Sequence, residues 1–289
     1  MIPSLSSLPC FTEIDLIDPI ITGLSSLCYR VHADNKIFFA KQTTINESIF
    51  CLLSAEQNIS PSVIYHDQYW LITSFIEGEN LSLSQQSIHN KIACAIQLMT
   101  QYHKLSTKTL LLEPTLPLQP RTLVYELIDN IYITTKKLIE IPTLQKSTLN
   151  IIANHILELI PPPANKVCCH GDVNFSNILI SPEEHAYLVD YECACIAPAE
   201  YDLAMFIAVN NLSNKHILPI TQQYSAHVLV DINLPLLKHY LTYCYFINGL
   251  WYINAYQKSA LSSFIHLAKQ QWQNIHTVEL IKVALDNLP

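Results

Sequence analysis

The chain has 289 residues, a formal net charge of -8, 14% charged residues and 50% hydrophobic ones. An average domain has about 25% charged residues, so this composition excludes a disordered chain and leaves ample apolar surface for a core. Only four glycines occur, Gly23, Gly78, Gly171 and Gly249, against roughly 20 expected at average usage; no two lie close together, which excludes the dinucleotide fingerprint, the Walker phosphate loop, the G-x-S-x-G elbow and the protein-kinase G-x-G-x-x-G loop.

In chain order, Ser26–His32 and Lys36–Gln42 read as two strands joined by the turn Ala33-Asp34-Asn35. Asn46–Glu56 follows as a short helix, and after Pro61 the runs Ser62–His66 and Tyr69–Ile76 read as further strands. Beyond the polar turn Glu77–Asn80 the period becomes helical: Ile88, Ile92, Ala95, Ile96, Met99 and Tyr102 make one apolar stripe. Helical patterns recur over Leu123–Ile139 and Thr148–Ile160, the latter stopped by Pro161-Pro162-Pro163. Short strands are expected at Lys166–Cys169, Ile178–Ile180 and Tyr187–Asp190, and most of Tyr201–Leu288 reads as helix.

Negative net charge opposes duplex binding, and no basic patch offsets it, so no nucleic-acid partner is expected. The nine cysteines form no C-x-x-C pair, and Met1–Asp18 lacks a basic segment before an apolar run; both point to a reduced, cytoplasmic protein. Tyr240–Gln257 is uncharged but holds Thr242, Asn248 and Asn254, which fits a buried helix and not a membrane span. Oligomeric state is left open.

The chemistry concentrates in Cys168–Glu192, where His170, Asp172 and Asn177 stand as H-x-D-x-x-x-x-N and Asp190 ends an apolar strand in Asp190-Tyr191-Glu192. Phosphoryl transfer needs this set of residue types: a carboxylate to orient the attacking hydroxyl and accept its proton, and oxygen ligands for Mg²⁺. The neighbouring Cys168, Cys169, Cys193 and Cys195 lack zinc-site spacing and read as small buried apolar residues.

Residues 170–192 resemble the catalytic loop and metal strand of the aminoglycoside phosphotransferase and choline kinase superfamily. Six further segments match in order: Thr22–Val31 the nucleotide loop, Phe38–Lys41 the lysine strand, Asn46-Glu47 the helix glutamate, Ser74–Gly78 the hinge, Tyr102–Leu105 the end of the following helix, and Pro198–Ala204 the segment after the metal strand. The resemblance implies an α+β, protein kinase-like two-lobe fold, with a β-rich nucleotide lobe over 1–77 and a mainly helical catalytic and substrate lobe over 78–289. It also implies ATP and Mg²⁺ as cofactors and a small-molecule hydroxyl as substrate. Asp172 would be the base and His170 an orienting residue, with Asn177, Asp190 and Glu192 as metal ligands. Lys41, paired with Glu47 or with Glu56, would hold phosphates; Gly23, Ser25, Ser26, Phe75 and Glu77 would contact the nucleotide.

Tyr240–Tyr256 carries seven aromatic residues. They read equally as core packing and as an aromatic cage for a cation; Trp251 leads the second reading, followed by Tyr243 and Tyr252. The implied acceptors are choline and ethanolamine, then thiamine, with an aminoglycoside less expected because acidic residues are sparse over 203–289. A nucleotide-binding pseudokinase is the alternative of another class, disfavoured because Asp172, Asn177 and Asp190 are all present.

Overall fold

Asp34 (φ 50°) and Asn35 (φ 58°) both have left-handed backbone, the requirement of the tight turn that matches strand twist. They join β2 (Cys28–Ala33) to β3 (Lys36–Gln42) in the register Ala33 to Lys36 through Cys28 to Lys41. In this computed structural model, which describes residues 2–20, 27–106, 122–133, 137–162 and 165–289, the hairpin is the centre of a five-stranded antiparallel sheet. Its order is β1-β2-β3-β5-β4, with β1 at Ile14–Ile20, β4 at Val63–His66 and β5 at Trp70–Ser74. Gly23, Ser25 and Ser26 lie outside the described residues.

Strand alternation sorts this sheet into two faces. Val31, Ala33, Phe38, Ala40, Trp70 and Ile72 form one buried cluster with Leu5 and Leu8, and the Trp70 indole N–H donates to the Pro3 carbonyl at 2.9 Å. The alternate positions Cys28, Arg30, Phe39, Lys41, Leu71 and Thr73 share the opposite face. Strand β1 is an addition to the sequence reading. Asp15, Asp18 and Pro19 hide its apolar pattern, and the sheet edge tolerates all three.

The chain divides into two compact units, Met1–Leu116 with His170–Ala194, and Pro117–Cys169 with Cys195–Pro289. The first also holds α1 (Ile45–Glu56), α2 (Ile88–His103) and a small sheet β6-β8-β9, formed by Glu79–Asn80, Ile178–Ile180 and Ala186–Leu188. The expected apolar stripe of α2 is buried from Ile92 to Tyr102, while Ile88 in the first turn is exposed, and Ser87 caps the helix by accepting from the Asn90 N–H.

The second unit contains α3 (Leu123–Tyr132), α4 (Lys146–Glu158), α5 (Ala199–Val209), α6 (Ile217–Val228), α7 (Leu234–Ser259), α8 (Ser262–Gln273) and α9 (Leu280–Asp286). Helix α3 ends before the expected Ile139, because Ile133 turns to extended backbone. Strands β7 (Val167–Cys169) and β10 (Cys195–Ala197) pair with Cys169 opposite Cys195. Burial pushes the Cys168 thiol up to about 12 and raises Cys195 further, as expected of inert core thiols. No helix among the described residues is long and apolar enough to cross a membrane.

Helix α7 packs against α3, α5 and α8, and its contact with α8 depends on Gly249. The buried Trp272 donates its indole N–H to the Phe246 carbonyl at 3.1 Å and stacks on the Phe246 ring. A Cβ at Gly249 would lie 2.1 Å from the Trp272 Nε1, so this glycine serves close packing. Gly249→Ala is therefore expected to cost about 1–3 kcal/mol by overpacking and to lower the melting temperature by roughly 3–10 °C. A variant that melts with the wild type would contradict this packing account.

Candidate active site

Lys41 is only 4% exposed, which for a lysine demands paired carboxylates. Its Nζ donates to Glu47 Oε1 at 2.6 Å and to Asp190 Oδ1 at 2.5 Å. Burial alone would lower its pKa; the two carboxylates outweigh burial and hold it above the ordinary lysine value. The ammonium is thus fully charged throughout the neutral range.

The tight spacing from 41 to 47 works because of how α1 begins. Thr44 caps the helix by accepting from the Glu47 N–H at 3.3 Å. A glutamate three residues into a capping box ordinarily reaches back to the cap's own backbone N–H. Here the Glu47 side chain turns to Lys41, with its second oxygen taken by the Thr43 hydroxyl. Its charge also lies at the positive end of the helix dipole. Glu47, and not Glu56, is the lysine's partner.

Asp190 reaches the same lysine from 149 residues away in sequence. The β8-β9 hairpin sets Ile178 opposite Leu188, and the Val189 N–H donates to the Asn177 carbonyl at 2.9 Å; the end of the polar loop and the residue before Asp190 are thereby joined. Asp190 itself has left-handed backbone, φ 70°, a conformation that aspartate tolerates better than most residues. Tyr191 follows as a buried anchor, its hydroxyl donating to the Leu188 carbonyl and its ring 4.8 Å from His170 and 5.6 Å from Tyr102. Sequence reasoning passed over Tyr191; the available signal was an aromatic residue between two acids at the end of an apolar strand.

His170 is fully buried and ties the loop to that strand. Its Nδ1 accepts from the Asp172 N–H at 3.3 Å, which leaves Nε2–H to donate to the Val189 carbonyl at 3.1 Å. Between His170 and Asp172, Gly171 has φ +76°, and a Cβ there would meet the Cys193 carbonyl oxygen at 2.3 Å; only glycine fits. The Asn177 side-chain amide donates to the Asp172 carboxylate at 2.9 Å and to the Asp172 carbonyl at 3.0 Å.

Glu192 and Glu47 line one cavity of about 360 Å³ together with Thr43 and Tyr69. Phe75 and Glu77 follow β5, near Arg30 of β2. Lys41, Glu47, Asp172, Asn177, Asp190, Glu192, His170, Phe75 and Glu77 all belong to the first unit. In the second, Trp251 and Tyr252 meet edge to face and both contact the ring of Phe264, with Trp251 42% exposed. Tyr243, 1% exposed, lies against Tyr201 instead. The structure therefore groups Trp251 with Tyr252 and places Tyr243 in packed interior.

Replacing His170 by Phe keeps a ring but removes the bond from the Asp172 N–H within the loop and the bond to the Val189 carbonyl that joins the loop to the strand. Loss of these two buried bonds is expected to cost about 2–4 kcal/mol, read from the urea midpoint at constant slope. An unchanged midpoint would show that the His170 bonds do not hold the loop.

The family model of the phosphotransferase enzyme family matches residues 49–226. No curated protein sequence matches the chain significantly. Solved structures share its fold at low identity. The choline kinase LicA from Streptococcus pneumoniae is 14% identical over 92% of this chain and 95% of that one, with a TM-score of 0.68. An ethanolamine kinase from Plasmodium vivax is 14% identical over 93% and 83%, with a TM-score of 0.65. Spectinomycin phosphotransferase APH(9)-Ia, in complex with ADP and spectinomycin, is 18% identical over 96% and 94%, with a TM-score of 0.61. The kinase-like α+β fold expected from the sequence is the fold of the chain. Since the matched stretch covers more than half of the sequence and includes the whole segment from His170 to Glu192, the chain belongs to the phosphotransferase enzyme family.

Proposed function

We propose that this phosphotransferase is an ATP-dependent kinase that phosphorylates the hydroxyl of a small cationic metabolite, choline or ethanolamine. The observation that carries the reading is the buried Lys41 ammonium held between Glu47 and Asp190. An ammonium has three N–H donors; two are engaged by these carboxylates, and the third suits a phosphate oxygen. Solved structures of LicA with AMP and of spectinomycin phosphotransferase with ADP support nucleotide as the donor.

Asp172 is the proposed base. Its carboxylate accepts from the Asn177 amide, which orients it to take the proton of an attacking hydroxyl. Asn177 Oδ1 and the carboxylates of Asp190 and Glu192 are hard oxygen donors of the kind Mg²⁺ requires, and these residues would hold it. When bound, the ion would neutralise charge on the β- and γ-phosphates. Phe75 and Glu77, with Gly23, Ser25 and Ser26, are assigned to the nucleotide. For the acceptor, the exposed Trp251 and the adjoining Tyr252 offer ring faces that attract an ammonium group, with Tyr243 bracing the same helix.

Asp172→Asn and Asp190→Ala are each expected to lower kcat by about 10³-fold or more, Asp172→Asn while melting near the wild type and Asp190→Ala with a loss of stability besides, since it uncovers the Lys41 charge. Near wild-type turnover in either variant would overturn the roles. Trp251→Ala should raise the KM of a quaternary ammonium acceptor about 5- to 20-fold and leave that for ATP unchanged; equal changes would remove the ring from acceptor recognition. An ADP-release screen over choline, ethanolamine, thiamine and aminoglycosides identifies the acceptor. Turnover confined to an uncharged alcohol would refute the cationic class.

A further inference from the structure

Arg30 has an arrangement that folding alone does not require. It stands on β2 directly opposite Phe39 and shares the sheet face of Lys41. Its guanidinium carbon lies 4.6 Å from the centroid of the Phe75 ring. Its Nη2 is 3.6 Å from Glu77 Oε1, longer than a hydrogen bond, with the two side chains 37% and 71% exposed; ion pairs of this kind contribute little. The Arg30 Nε is buried yet has no hydrogen-bond partner among the described residues, a cost with no return within the fold.

A guanidinium is a flat, permanently charged plate that stacks on π-systems. One face of this plate lies on Phe75, and the exposed part of the side chain leaves the remainder accessible. Phe39 and Arg30 lie two residues from the Lys41 level, about 7 Å along the strands, on the side toward Phe75. With phosphates at Lys41, and with Phe75 and Glu77 assigned to the nucleotide as proposed above, that is the side on which its base would fall, one ribose away. Resting on the reading of Lys41 as the phosphate-binding residue, we propose that Arg30 is a base-contacting residue. Its open guanidinium face stacks on the nucleotide base, with Phe75 backing the other face and Glu77 holding the edge. A purine, with two fused rings, covers this plate more fully than a pyrimidine, so the contact selects purine nucleotides.

Calorimetric titration of ADP and CDP in the presence of Mg²⁺ tests this without knowledge of the acceptor. Arg30→Ala is expected to weaken ADP about 5- to 20-fold and CDP no more than about 2-fold, collapsing the purine preference. Arg30→Lys, which keeps the charge beside Glu77 but lacks a plate, should not restore it. Lys41→Met should weaken both nucleotides by the same factor. Equal losses of ADP and CDP in Arg30→Ala, or rescue by Arg30→Lys, would overturn the base contact while leaving the phosphate reading intact. Unchanged affinity for both nucleotides in Lys41→Met would overturn the phosphate reading and this inference with it.

Discussion

A lysine ammonium out of water is stable only if anions surround it, and in this protein that constraint falls on Lys41. Its two partners come from distant parts of the chain, Glu47 at the start of a helix and Asp190 at the end of a short strand. Burial works against the charge, and the paired carboxylates overcome it. Removing either partner would leave an incompletely compensated buried ion, the costly case for such pairs. The interaction therefore serves as a joint: it fixes α1, β3 and the 170–194 segment in one unit.

The rest of that unit sets the joint's geometry. Thr44 starts α1 so that Glu47 falls at its third position, within reach of Lys41. The β8-β9 hairpin, the Val189 to Asn177 bond and the His170 bridge bring the polar loop beside Asp190. Tyr191 anchors the residue after Asp190 in the core, which lets Asp190 hold a left-handed backbone and turn its side chain to Lys41. Asp172 is orientated by Asn177 and its backbone by His170. Stability alone does not call for these charges, since an apolar packing would be cheaper to bury.

Much of this was legible in the sequence where local pattern and chemistry coincide. The β2-β3 hairpin carries its own turn signal, α2 has a clear apolar stripe, and the residues His170, Asp172, Asn177 and Asp190 are spaced as one short loop and strand require. Legibility failed where the determining contact was remote. Strand β1 is an edge strand whose acids and proline mask its period, and the packing of Leu5 and Leu8 on the sheet gives no local signal. Gly249 stands two residues from Trp251 in sequence, whereas the contact that requires it is with Trp272, on the next helix. Tyr243 and Trp251 differ in burial because α7 is packed on several sides, so helical periodicity could not separate core rings from exposed ones. The buried position of Tyr191 and the stack of Arg30 on Phe75 likewise depend on chain segments far apart in sequence.

The coupling between Lys41 and Asp190 is the point at which this account stands or falls, because it links the lysine strand to the segment that holds Asp172, Asp190 and Glu192. A double-mutant cycle with Lys41→Met and Asp190→Asn, followed by urea denaturation, measures it directly. The account predicts an interaction energy of about 1–3 kcal/mol, with the double variant less destabilised than the sum of the two single ones. Additivity within about 0.5 kcal/mol would contradict it.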